Sequence, residues 1–317
     1  MPQGLVAIIR QLSEGHAGLA DRSGRISEHY RRAGSSRAVV GEQSDALAYA
    51  LSRMPATFAA VSRVLEEVQA RAPGFTPRTL LDAGAGPGTA AWAAGERFDG
   101  VRKTLFDHNR EFLDLARTIA AELADDAELL QRELGGFDLA KTFDLVTCAY
   151  ALTELDDAAV LNAAERLWRH TSGVLILVEP GRPRDYGRLM AVRARLVELG
   201  GTILAPCPHD AACPLAAPDW CHFSIRLGRS REHMRMKGGT LGYEDEKFSY
   251  LVVARPGIGE RTPARVIRPP EENKFSVSLA LCAPDGTELR VVPSRDKLMF
   301  KASRKLSWGD SYEAAKS

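Results

Sequence analysis

Apolar and polar positions follow two rhythms along this chain, and the change of rhythm divides it. From Met1 to Ala72 the apolar residues fall at helical spacing: Leu47, Ala50, Leu51 and Met54, then Val61, Val64, Leu65 and Val68. Residues three and four apart share one helix face, so these runs predict amphipathic helices. Pro55 suits the first turn of the second run, where its missing N–H is not needed. The breaker APGFTP at 72–77 ends this section. From Arg78 to Pro180 short apolar runs at Thr79–Asp82, Lys103–Phe106, Phe143–Ala149 and Val174–Val178 read as strands. Amphipathic stretches lie between them, as around Phe112–Leu123 and Ala158–Trp168. This alternation predicts the α/β class, with a parallel sheet and helices on both faces.

Beyond Gly200 the rhythm breaks. Proline, cysteine and histidine crowd together and an arginine-rich stretch follows. Phe248–Ala254 reads as a strand. Ser276–Cys282 and Leu289–Val292, joined by the turn Pro284-Asp285-Gly286, read as a β-hairpin. No run approaches the roughly 18 apolar residues of a membrane span, so no membrane partner is expected. The first twenty residues lack a basic leader followed by a long apolar core, and acids interrupt the arginine- and serine-containing stretch at 31–37. Five cysteines, none spaced like a secreted disulfide scaffold, make a reducing cytoplasm the expected compartment. A net charge of +1 excludes a polycation, so any nucleic-acid surface must be local.

The sharpest local signal is Asp82-Ala83-Gly84-Ala85-Gly86-Pro87-Gly88-Thr89, which closes a predicted strand and opens a helix. The spacing is neither the GxGxxG of dinucleotide enzymes nor a phosphate loop ending in Gly-Lys-Ser/Thr. Asp82 and this loop suit a cofactor with a cationic amine and no phosphate, of which S-adenosylmethionine is an example. Asp107 ends the next strand, at roughly the offset, about 20 residues on, where an acid accepts ribose hydroxyls in related folds. The candidate cofactor-binding residues are therefore Asp82, Gly84, Gly86, Gly88 and Asp107. The loop and its surroundings, from Arg78 to Pro180, resemble class I methyltransferases. No catalytic residue is assigned: Ala149-Tyr150-Ala151-Leu152 stands where an Asn-Pro-Pro-aromatic motif would follow the fourth strand. Cys148, in an apolar strand, is read as packing in preference to a nucleophile.

Cys207, Cys213 and Cys221 lie within PCPHDAACPLAAPDWCHF, and Cys282 lies on the predicted hairpin. Four thiolates can close a tetrahedral zinc site or hold an iron–sulfur cube. The absence of CxxC knuckles favours the cluster. Trp220 and Phe223 are placed to shield the sulfurs, and His209 or His222 is the alternative fourth ligand in a zinc site. Cations gather outside the predicted sheet: Arg182, Arg184, Arg188, Arg193 and Arg195; Arg226, Arg229, Arg231, Arg235 and Lys237; Arg295, Lys297, Lys301, Arg304 and Lys305. With Phe300 and Trp308 among them they could neutralise phosphates and stack on unpaired bases.

CPHDAACPLAAPDWCHFSIR, Glu246-Lys247-Phe248-Ser249-Tyr250-Leu251, the late Cys282 and Trp308-Gly309-Asp310 together resemble one family. It is the methyltransferase-like family of small-ribosomal-subunit assembly, found in mitochondria and bacteria. The resemblance implies a methyltransferase fold, a 4Fe–4S cluster on Cys207, Cys213, Cys221 and Cys282, and contact with small-subunit ribosomal RNA or a subunit precursor. Three functions follow: an S-adenosylmethionine- and cluster-binding assembly factor, an active RNA methyltransferase, or a non-enzymatic zinc-binding scaffold. The expected organisation is a helical section at 1–72, a methyltransferase-like Rossmann-type domain at 73–200, and a cysteine-rich, metal-binding β extension at 201–317. Within the extension, 248–254 is expected to return to the main sheet, and the chain to be a monomer.

Overall fold

The structure is a computed structural model and describes residues 1–31, 36–229, 234, 236 and 241–313. The N-terminal section forms α1 (Gln3–Ser13), α2 (Leu19–Arg31), α3 (Gln43–Ser52) and α4 (Met54–Arg71). Pro55 lies in the first turn of α4. Met54, Val61, Val64, Leu65 and Val68 are buried on one face of that helix, as their spacing requires.

The α/β body runs β1 (Thr79–Ala83), α5 (Thr89–Gly95), β2 (Arg102–Asp107), α6 (Arg110–Glu122), β3 (Glu128–Gln131), β4 (Phe143–Ala149), α7 (Asp157–Arg169), β5 (Thr171–Pro180), α8 (Pro183–Glu198) and β6 (Thr202–Ala205). Next come β7 (Phe223–Gly228) and β8 (Tyr243–Ala254). The sheet order is β3-β2-β1-β4-β5-β8-β6, with β7 also paired to β8. The first five strands are parallel, and β8 is antiparallel to β5, β6 and β7. That order, reversing between β1 and β4 with one antiparallel strand inserted near the edge, is the class I methyltransferase arrangement of a doubly wound sheet. Ligands in such sheets sit at the strands' C-terminal edge, where the order reverses. Leu145, Val146, Leu175, Ile176, Leu251 and Val252 are buried, so the central strands are covered on both faces.

The far edge of β8 carries two strands in tandem. Ala205 of β6 faces Val252, and Phe223 of β7 faces Phe248. The cysteine-rich segment 206–222 therefore leaves and re-enters one sheet edge at points about 13 Å apart, at roughly 3.3 Å per residue. Beyond it, β9 (Arg265–Val266), β10 (Glu271–Glu272), β11 (Ser276–Ala283) and β12 (Gly286–Pro293) form a second sheet, followed by α9 (Lys297–Ser303). β11 and β12 are the hairpin expected from the Asp285-Gly286 turn. This unit has its own small core of Ala264, Val266, Val277, Leu279, Leu281 and Tyr312.

Arg265 joins the units. It is fully buried, and its guanidinium donates to Glu67 Oε2 on α4 (2.7 Å), Gly309 O (2.7 Å) and Pro206 O (3.2 Å). One side chain thus ties the second sheet to the helical section and to the start of the cysteine segment.

Candidate functional site

The glycine loop closes the crevice between β1 and β4. Gly84 has φ +64°, and a Cβ there would lie 2.5 Å from Ala151 Cβ, so only glycine fits the approach of the two loops. Gly86 N–H donates to Asp107 Oδ2 (2.8 Å), and Asn109 N–H donates to Asp107 Oδ1 (2.8 Å). The Asn109 side chain also caps α6 and donates to Val40 O (2.9 Å), which fixes the turn after β2. Asp82 accepts from Thr147 Oγ1 (2.8 Å) and from Ala91 N–H (3.0 Å). Burial pushes Asp82 up to about 7 against those two hydrogen bonds, and burial also raises Asp107. Neither acid has a lysine or arginine ion pair among the described residues, and the basic side chain beside them is His108, whose Nδ1 lies 3.4 Å from Asp107 Oδ1. The site thus keeps acidic groups for a ligand that brings its own positive charge or hydroxyls.

Asp82, Gly84, Gly86 and Asp107 line a cavity of about 330 Å³ together with Ala149, Tyr150, Ala151 and Glu154. Gly88 does not line it. With φ +84° it turns the chain into α5 and packs on Trp92 and Leu105. A second chamber of about 630 Å³ adjoins the first, and Tyr30, Tyr49, Thr57 and Tyr150 line both. Tyr150 follows β4 with φ +58°, a strained conformation for a non-glycine residue. Sequence reasoning noted the Ala149–Leu152 stretch but gave Tyr150 no role. It missed Tyr30 and Glu154 and gave Ser36 no part in the site, although Ser36 donates to Glu154 Oε2 through both N–H (2.9 Å) and Oγ (3.1 Å) and both residues line the cavity. Their elements give no local motif. Cys148 is fully buried and desolvation pushes its thiol well up, as for a packing cysteine and not an exposed nucleophile.

Cys207, Cys213, Cys221 and Cys282 line one cavity, walled also by Leu189, Met190, Leu215, Phe223, Tyr250, Arg265 and Ile267. The sheet brings them there. Cys207 follows β6, and Cys221 precedes β7 with its carbonyl accepting from Ser249 Oγ (2.9 Å). Cys282 lies in β11 opposite Arg265. Tyr186 on α8 donates its hydroxyl to Cys213 Sγ (3.1 Å). Burial raises the thiols of Cys207, Cys221 and Cys282, and mutual repulsion among their charged forms adds to it. A cation bound among them reverses that balance, because a coordinated thiol is deprotonated outright. Among the described residues no three His, Cys, Asp or Glu side chains are grouped so that they could hold a metal ion as they stand. The donor set itself fits a soft metal centre: four thiols and an apolar wall, with no carboxylate in the lining. His209 Nε2 lies 3.8 Å from Cys282 Sγ, at the rim of the group. His222 stacks on Trp220 (centroids 4.8 Å apart) and meets Trp308 edge-on. Phe223 shields the cavity as expected; Trp220 instead joins this ring stack and donates to Gly181 O (3.1 Å).

Many of the predicted surface cations are engaged internally. Arg182 pairs with Asp185, Arg188 with Asp157, Arg195 with Glu165 and Glu198, Arg226 with Asp245, and Arg229 with Glu244. Arg193 is buried. Arg231, Arg235 and Lys237 lie outside the described residues. Arg304 pairs with Glu272, whereas Arg295, Lys297, Lys301 and Lys305 are exposed and carry no ion pair among the described residues.

The strand order, the glycine-lined crevice and the four gathered thiols define a methyltransferase-fold protein with a second, cysteine-lined cavity. The family described as mitochondrial small ribosomal subunit Rsm22 matches residues 43–313, and the chain belongs to it. The chain is 30% identical over 286 residues to the mitochondrial ribosome assembly protein METTL17 of Homo sapiens, covering 83% of this chain and 61% of that protein. It is 25% identical over 330 residues to the mitochondrial Rsm22-cox11 tandem protein 2 of Schizosaccharomyces pombe, covering 84% of this chain and 43% of that one. It thus spans less than two thirds of these relatives. Among solved structures, magnesium protoporphyrin IX methyltransferase (ChlM) of Synechocystis PCC 6803 with bound SAH aligns at 14% identity and a TM-score of 0.43, over 72% of this chain and 93% of that one. The N-methyltransferase NodS of Bradyrhizobium japonicum WM9 aligns at 15% identity and a TM-score of 0.43, over 66% and 91%.

Proposed function

We propose that this chain is an RNA-associated, methyltransferase-like assembly factor of the small ribosomal subunit. It binds S-adenosylmethionine in the crevice through Asp82, Gly84, Gly86 and Asp107, with Gly88 shaping the loop. It holds a 4Fe–4S cluster on Cys207, Cys213, Cys221 and Cys282. One observation carries the reading: four cysteines spread over 76 positions line a single cavity beside the cofactor-fold sheet, Cys282 buried and the other three partly exposed. The centre's chemistry is structural. It fastens the second sheet and α9 to the body, and with them the exposed cations Arg295, Lys297, Lys301 and Lys305. Those cations are where phosphates of small-subunit ribosomal RNA are expected to dock. The relatives' names support the ribosomal partner, and the donor set supports the cluster.

The test is a pair of variants in the full chain. Cys213→Ser should lose iron and weaken binding to small-subunit RNA together, with S-adenosylmethionine affinity in calorimetry retained. Gly86→Asp should lose cofactor affinity with iron retained. RNA affinity unchanged in an iron-free Cys213→Ser protein would refute the structural role. Zinc in place of iron in the wild type would favour the scaffold reading.

A second reading, active methyl transfer to RNA, is favoured by the second chamber. It adjoins the cofactor cavity through Tyr30, Tyr49 and Tyr150, where an acceptor ring would stack. Labelled-methyl transfer to RNA, abolished by Gly86→Asp, would establish it.

A further inference from the structure

Arg193 is a buried cation without an anion. It is 2% exposed on the inner face of α8. Its Nη2 donates to His209 O (2.5 Å) and its Nη1 to Asp210 O (3.4 Å), while Nε–H finds no acceptor among the described residues. No carboxylate pairs with it among those residues. Its neighbours differ: Arg182, just before the helix, and Arg188 and Arg195 on it each have an acid and are more exposed. Arg265, equally buried, has Glu67.

A guanidinium stays protonated in a protein, so it cannot escape burial by losing its charge. Burying it uncompensated is strongly unfavourable. Such a group is stable where an anion lies near it, and the two carbonyls it binds belong to the loop between Cys207 and Cys213. Four thiolates around a core of charge +2 leave a net charge of −2, the anion that Arg193 otherwise lacks.

We propose that Arg193 is the counter-ion of the cysteine-held centre, offsetting its negative charge from behind the Cys207–Cys213 loop, whose His209 and Asp210 carbonyls it binds. This rests on the reading of the four cysteines as cluster ligands. Arg193 is a positioning and charge-balancing residue, not a ligand. Its two carbonyl contacts fix the Cys207–Cys213 loop, and its charge stabilises the more reduced state, since one-electron reduction makes the centre more negative still.

The experiment separates charge from anchoring. The full-length wild type, Arg193→Gln and Arg193→Lys are purified without oxygen and assayed for iron and sulfide. Each is then titrated with dithionite as the electron donor, and the reduced centre is followed by paramagnetic resonance. Glutamine keeps an amide donor for the His209 carbonyl and removes the charge; lysine keeps the charge and loses the planar fork. The Gln variant is expected to hold iron with a midpoint more negative by about 59 mV, a tenfold change for a one-electron couple. The Lys variant is expected to stay near wild type. Equal midpoints in wild type and Gln variant at equal iron content would reduce Arg193 to a loop anchor and overturn the proposal. If the Gln variant loses its iron, retention by the Lys variant supports the proposal and loss from both overturns it. Wild type holding zinc or no metal would overturn the cluster reading and this inference together, and would show before any variant was titrated.

Discussion

The buried pair Arg265–Glu67 offers the clearest energetic test of how the second sheet is held. Glu67→Ala removes the carboxylate 2.7 Å from Arg265 Nη2 and leaves the guanidinium at 0% exposure with only two carbonyl acceptors. Breaking a buried pair by deleting one partner costs about 3–5 kcal/mol, because the remaining charge is stranded. Arg63 also loses its 2.8 Å contact with Glu67, but it is partly exposed and keeps Asp310 at 3.2 Å, so that loss adds about 0–1 kcal/mol. At about 2 °C per kcal/mol for a chain of this size, the melting temperature should fall by roughly 6–12 °C. Urea unfolding followed by circular dichroism reads the same loss as a lower midpoint. The double variant Glu67→Leu, Arg265→Met should recover much of it, since apolar replacement of a buried pair is often neutral. The pH dependence has a defined sign. Although burial opposes it, Arg265 and Arg63 hold the Glu67 carboxyl below its ordinary value. Its contribution is therefore present above the unfolded-state value of 4.5 and is lost as pH falls through the lower folded value. The gap between wild type and Glu67→Ala should close in that acid window. A Glu67→Ala protein within 1 kcal/mol of wild type at neutral pH would refute the reasoning.

Three further outcomes are expected. Gly84→Val should abolish S-adenosylmethionine binding in calorimetry, because its Cβ would meet Ala151 at 2.5 Å in a left-handed conformation; undiminished affinity would contradict the placement of the loop. Asp82 is raised to about 7 by burial, so folded-state ionisation is completed only above that pH, and the affinity lost in Asp82→Asn should grow between about pH 6 and 8; a pH-independent difference would show that the carboxylate does not act through its charge. Lys297→Glu with Lys301→Glu should weaken RNA binding and lower its salt dependence by about two units in the log–log slope, whereas Arg226→Glu, already neutralised by Asp245, should do less.

Much of the body was legible because its signals are local. Phe143–Ala149 was read with its observed bounds, and the β1 loop announced itself through glycines and the acid before them. The short strands β6 and β7 were not read: Thr202–Ala205 and Phe223–Gly228 border the proline- and cysteine-rich segment and owe their extension to pairing with β8. Those two strands set where the cysteine segment begins and ends, so how Cys207 and Cys221 meet was visible only in the fold. The cation clusters misled for a related reason. Sequence shows that Arg188 and Arg195 are near other arginines, but not that Asp157 and Glu165 lie across α7 and α8 from them. Arg193 is the extreme case, since counted by composition it belongs to a basic surface, and the helix turns it inward.

The most direct test is the metal and sulfide content of the full chain purified without oxygen, with its absorption spectrum. A brown protein with about four irons and four sulfides per chain, lost in Cys282→Ser, is the predicted result. A colourless protein with one zinc, or with neither metal nor sulfide, would contradict it.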